Sequence, residues 1–227
     1  NRLIFSVRSE QFASADGYGD WRFNADDFRA SIANDTTRDW VFSVTLGGGK
    51  AERTDAPGAA QLESLVFDLS PDAADKTSLV LSLLGDGIKA TVDDHAVALD
   101  RIRTVTIATQ THAMGDAATW RSAGGALIIN GFYAQLEEAR LAVSGELTLD
   151  RQLYPTGNLD TEIIAPAPFA HALAEAGVMS SSDADSIAAA LTLAAIAGGG
   201  KLSAPIEFKN GAAQIANVRL FEFAATP

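Results

Sequence analysis

GELTLDRQLYPTGNLDTEI, residues 145–163, is the stretch whose reading decides the fold. Leading into it, Leu141, Val143, Leu147 and Leu149 alternate with Arg140, Ala142, Ser144, Glu146, Thr148 and Asp150. A period of two places the first set on one face and the second on the other, the pattern of a strand with one dry side. Tyr154-Pro155-Thr156-Gly157 is expected to turn the chain, because Pro presets φ and Gly supplies a positive one. Leu159, Thr161 and Ile163 then run back as the partner strand.

The same alternation extends in both directions. Residues 2–8, 21–23, 28–32 and 39–46 read as strands, the last with Trp40, Phe42, Val44 and Leu46 on one side. Residues 14–20, SADGYGD, read as a Gly/Asp turn, with 24–27 a polar link or one helical turn. Residues 47–58 carry glycines, charges and a Pro and are expected to form a loop. Residues 61–69 and 77–84 follow as strands, separated by a turn at Ser70-Pro71-Asp72. Gly85-Asp86-Gly87 reads as a hairpin into 88–92. Residues 101–108 are β-branched, residues 116–122 form a short helix or lid carrying Trp120, and Gly131 is expected to turn 126–130 into a strand ending at Leu136.

Two helices come late. Residues 166–177 carry Phe169, Leu173 and Ala176 on one stripe, with Gly177 as a C-terminal stop. Ser182 is the expected cap of a second helix over 183–197, whose inner stripe is Ile187, Ala190, Leu191 and Ala194. Residues 202–208, a turn at Asn210-Gly211 and residues 213–223 finish the chain. Ten or more consecutive strands joined by short links mean antiparallel pairing. The expected fold is mainly β with some α: a large curved antiparallel sheet or a two-layer β-sandwich, as a single domain over 1–227, with an αα-hairpin at about 166–197.

Composition narrows the function. The 227 residues are 47% hydrophobic but only 7% aromatic, so the core is built from Leu, Ile, Val and Ala. A net charge of −12 argues against a nucleic-acid partner and against electrostatic docking on anionic membrane. Absence of Cys removes disulfides, thiolate nucleophiles and sulfur-bound metals. The chain opens at Asn1, already in strand-like sequence, and reads as a trimmed piece whose targeting or anchoring segment, if any, lies upstream.

Trp120 ahead of Gly124-Gly125, then SGELTLD, PTGNLDTEI, two Ala-rich helices and GGGKLSAPIEFKNG together resemble the proteobacterial envelope proteins grouped as domain of unknown function 2125. The resemblance covers residues 62–221 and rests on the spacing of Gly, Pro and Leu. It implies a body in the periplasm tethered to the inner membrane by an upstream segment. Its long one-faced sheets are similar in pattern to AsmA-type proteins, which handle lipid between membranes. The family brings no catalytic residues to carry over.

Motifs for chemistry are sparse. His95, His112 and His171 are far apart, and Asp93-Asp94-His95 reads as a solvated strand end rather than a zinc or general-base site. Asp16-Gly17-Tyr18-Gly19-Asp20 lacks an EF-hand pattern. Gly47-Gly48-Gly49-Lys50 and Gly198-Gly199-Gly200-Lys201 lack the spacing and following helix of a phosphate loop. Serines 180–182 sit in no nucleophile elbow. The expectation is a non-enzyme with no cofactor and no metal, whose apolar sheet face binds lipid. The lining positions are taken as Leu79, Leu81, Leu141, Val143 and Leu147 on strands and Phe169, Leu173, Ile187 and Leu191 on the helices. The competing expectation is an adaptor that holds another envelope protein through an edge strand or the helical hairpin.

Overall fold

The structure, a computed structural model, describes residues 2–7, 11–16, 19–93, 95–215 and 218–223. In chain order it forms β1 (Arg2–Val7), β2 (Gln11–Asp16), β3 (Gly19–Asn24), β4 (Asp27–Asp35), β5 (Asp39–Arg53), β6 (Gly58–Pro71), β7 (Leu79–Val92) and β8 (His95–Ala108). Helix α1 (Ala117–Ser122) precedes β9 (Leu127–Leu136), β10 (Ala139–Leu149) and β11 (Pro155–Ile164). Helices α2 (Pro166–Glu175) and α3 (Ser181–Ala197) then lead to β12 (Lys201–Lys209), β13 (Ala212–Ile215) and β14 (Val218–Glu222). All fourteen strands join one curved, open antiparallel sheet, so the sheet alternative is the one adopted. Its order is β1-β4-β5 and then consecutive to β14, while β3 pairs with the far half of β5 and carries β2.

Long strands replace several expected turns. The segment expected as a loop over 47–58 is strand through Arg53, and only 54–57 bend. The expected hairpin at 85–87 lies inside β7, which runs unbroken from Leu79 to Val92. Both misreadings have the same cause. Gly48 and Gly87 hold φ of 60° and 61° without shifting the register, and a side chain on either would collide with Asp26 or Glu63 respectively. These glycines admit a neighbour's side chain rather than reverse the chain. Gly131 is likewise within β9, beside a bulge that leaves one extra β9 residue opposite both β8 and β10.

Ser70 and Pro71 extend β6 opposite Val80 and Leu79 instead of turning. The turn after β10 comes earlier than expected: the Asp150 carboxylate accepts from the backbone N–H of Gln152 and Tyr154, and Leu153 takes φ 66°. Pro155, Thr156 and Gly157 therefore already belong to β11. Of the expected turn over 14–20, Ser14 to Asp16 and Gly19-Asp20 are strand, while 17–18 lie outside the described residues. The final segment over 213–223 holds β13 from Ala212 and β14.

The helical hairpin fits the expectation closely. A Schellman pair ends α2, with Gly177 N–H donating to Ala174 O and Val178 N–H to Leu173 O. The cap of α3 is Ser180 rather than Ser182; its hydroxyl accepts from Asp183 N–H at 3.1 Å. Leaving β11 and returning to β12, α2 packs on β8 and β10, and α3 on β12. Beneath them Ile163, Phe169, Ala170, Ile187, Leu191, Leu202 and Ile215 form the core. Each large aliphatic or aromatic side chain buried there contributes about 1.5–3 kcal/mol.

Candidate functional site

Residues paired across neighbouring strands share a face, so the register of the sheet sorts its side chains into transverse rows. One row runs Leu3, Ile32, Phe42, Leu69, Leu81, Thr106, Ile129, Gly145, Leu159, Ile206, Ile215. The next runs Phe5, Ala30, Val44, Phe67, Leu83, Thr104, Phe132, Val143, Thr161, Ala204. A third runs from Phe28 through Leu46, Leu65, Gly85, Ile102, Ala134 and Leu141 to Ile163 and Leu202. No charged side chain interrupts any of the three.

Charged cross-strand pairs lie on the other face. There Arg101 Nε donates to Asp86 at 2.7 Å across β8 and β7, and Lys201 Nζ donates to Glu162 at 2.7 Å across β12 and β11. The hydrogen bond from Arg101 is the main reason the Asp86 carboxyl is held below the usual carboxylate range. One face thus carries uncharged rows across nearly the whole width of the sheet, and only part of that face is covered.

Coverage ends partway along the rows. Ile163, Leu202 and Ile215, at the helix-covered end, are buried. Phe42, Phe67, Leu69, Leu81 and Leu83 are only half-buried, and Leu3 and Phe5 at β1 are 64% and 63% exposed. Where cover gives way to open face, α2 overhangs the sheet and leaves a cleft of about 400 Å³. Val97, Leu99, Phe132, Ala134, Leu136 and Leu141 line its sheet wall, and Pro168, Phe169, Ala172, Leu173 and Ala176 its helix wall. The polar groups there are Glu137 at the β9–β10 turn and His171 and Glu175 on α2. An apolar chamber of this size with a few polar groups has the form of a small-molecule site.

Of the expected lining residues, Leu141, Phe169 and Leu173 meet in this cleft. Leu79, Leu81, Val143 and Leu147 lie on the same face of the sheet, through the pairings Leu79–Ala108–Leu127–Leu147 and the rows above. Ile187 and Leu191 are packed into the core under α3 and are not among the cleft's lining. Sequence reasoning missed Phe132, Val97, Leu99 and Leu136. The alternation Leu127, Ile129 … Phe132, Ala134, Leu136 would have shown three of the β9 positions had Gly131 not been taken for a turn.

The histidines stay apart. His171 Nδ1 lies 3.8 Å from Asp185, the ring of His95 lies against Gly177, and His112 is exposed in a 3₁₀ turn. Asp93 faces Arg53 at 3.8 Å, and Asp94 lies outside the described residues. Gly47 to Lys50 are strand and Gly198 to Gly200 close α3, so neither forms a loop feeding a helix. Residues 2–223 match the model of a bacterial family described as an uncharacterized protein conserved in bacteria, DUF2125. No curated protein and no solved structure matches the chain.

Proposed function

For a chain that belongs to the DUF2125 family, we propose that it binds lipid and passes it along the apolar face of its sheet, without catalysis, in the periplasmic envelope. The observation that carries this reading is the set of uncharged rows that run from the helix-covered core out to an open edge. An acyl chain of about 16 carbons, at ~0.8 kcal/mol per CH₂, costs on the order of 12 kcal/mol to expose to water. A carrier must offer a continuous lining free of buried charge to recover that. The rows supply such a lining, and the cleft under α2 supplies a place where two walls meet the chain. The scarcity of aromatic side chains suits flexible aliphatic ligands, which need no defined ring stack.

Solvent extraction of the purified protein followed by mass spectrometry tests this directly. Co-purifying acyl lipid, together with saturable binding of a fluorescent acyl probe, is the expected result. Absence of both sinks the reading. The adaptor alternative draws on α3, whose outer side leaves Leu193 and Ile196 each 70% exposed. A stoichiometric protein partner from envelope extracts, lost in a Leu193→Ser/Ile196→Ser variant and recovered without lipid, would favour it.

A further inference from the structure

The polar groups of the cleft restrict the headgroup of whatever occupies it. Among the cleft's lining residues, Glu137 and Glu175 are carboxylates, His171 is the single titratable base, and neither Lys nor Arg is present. Both carboxylates are exposed, and neither has a salt-bridge partner among the described residues. Asp100 adds to the negative side, its carboxylate accepting from Glu137 N–H at 3.0 Å. The one base faces Asp185 at 3.8 Å. From these groups the apolar wall descends β9 through Ala134, Phe132 and Ile129, a strand roughly 30 Å long at about 3.3 Å per residue. A ligand whose tail follows that wall leaves its polar end among carboxylates.

We propose that the amphiphile bound in this cleft carries an ammonium group at its polar end, as zwitterionic ethanolamine or choline phospholipids do, and that Glu137 and Glu175 select it over anionic lipids. This rests on the lipid-binding reading and sharpens it. A free fatty acid, or a lipid whose outermost charge is a phosphate, would set like charge against both carboxylates. An ammonium group would find opposite charge there without displacing an existing ion pair.

The test uses the full chain, freed of lipid, with phosphatidylethanolamine and phosphatidylglycerol carrying the same acyl chains and the same tail fluorophore. Two exposed charge contacts predict a preference for the ethanolamine lipid of roughly three- to ten-fold at low salt, falling as salt screens it. Glu137→Gln/Glu175→Gln should remove the preference while binding of the ethanolamine lipid persists, with the folded state checked by circular dichroism. Equal binding of the two lipids, or a preference for phosphatidylglycerol, overturns the headgroup assignment and leaves lipid binding standing. A preference that survives in the double variant overturns it too, because the overall charge of the chain would then be its cause. Binding of neither lipid ends the lipid-binding reading as well.

Discussion

The indole Nε1–H of Trp120 donates a 2.7 Å hydrogen bond to the backbone carbonyl of Thr109. The contact ties α1 to the end of β8, and Thr109 is bound a second time, its N–H to Ala126 O and its hydroxyl accepting from Ala126 N–H. Gly125 sits against the same ring, and a side chain there would collide with it. Trp120→Phe keeps the buried ring but leaves a carbonyl without its donor, a loss of about 1–3 kcal/mol. Gly125→Ala should lower stability by displacing a buried indole. In thermal unfolding, each kcal/mol should appear as roughly 2–4 °C for a chain of this size. Unchanged midpoints for both variants would mean that the 109–126 segment is not anchored this way.

Core and open face should respond differently to substitution. Leu191, on the inner face of α3, is 1% exposed, and Leu191→Ala should cost about 2–5 kcal/mol through lost burial and the cavity left behind. Leu83 lies half-buried on the uncovered part of the apolar face. Leu83→Lys should cost about 1 kcal/mol, yet reduce acyl-probe binding by ten-fold or more, because it plants a charge in the path of the tail. Denaturant unfolding and probe titration on the same two variants check the contrast. A Leu83→Lys protein that binds the probe as well as the native chain would place the lipid elsewhere.

Much of this arrangement was legible in the sequence because alternation is a local signal. Leu79 and Leu81, or Leu141 and Val143, declare their face without reference to their partners. What the sequence concealed is non-local. Gly48 and Gly87 look like turn residues until Asp26, from the bend between β3 and β4, and Glu63, from β6, are seen against them. Tyr154-Pro155 looks like the turn until Asp150 is seen to form it with its own side chain. The cleft was half legible: Leu141, Phe169 and Leu173 follow from their stripes, whereas Glu137 and Glu175 gain meaning only once α2 packs on β8 and β10. Ile187 and Leu191 show the converse limit. A helical stripe identifies which residues face inward, but not whether they meet a solid core or an opening.

Acid should expose the value of the charged face. The Asp86 carboxyl is held low first by its hydrogen bond from Arg101 and then by the same group's charge. Asp75 is held low chiefly by the Ser78 hydroxyl, and Asp116 by the Thr119 hydroxyl. A carboxyl held below its unfolded value of about 3.9 stabilises the fold fully above that pH. The contribution fades as pH falls through the lower, folded value, where both states become protonated. Asp86→Asn should therefore be less stable than the native chain at pH 7, and the gap should narrow as pH falls below the usual carboxylate range. Denaturant midpoints across pH 2–7 measure it; a gap that stays constant over that range would mean the Arg101 pair contributes nothing that titrates.

The cleft and the outer side of α3 offer the sharpest separation between lipid carrier and adaptor, because they are formed by different helices of the same hairpin. Leu173 is half-buried on α2 and reaches into the cleft. Leu173→Trp adds bulk toward empty space rather than into the close-packed core, so the cost to stability should stay below about 1.5 kcal/mol. The indole would occupy the volume a tail needs, and acyl-probe affinity should fall several-fold. Leu193 and Ile196 face solvent on α3. Replacing both with Ser should leave probe affinity within two-fold, since an exposed apolar side chain contributes little to the fold and touches nothing in the cleft. A carrier predicts loss in the first variant and none in the second. If the bulky residue at 173 leaves lipid binding intact while the serine pair abolishes it, the ligand sits on the outer face of the hairpin, and the cleft is only a gap beneath a helix.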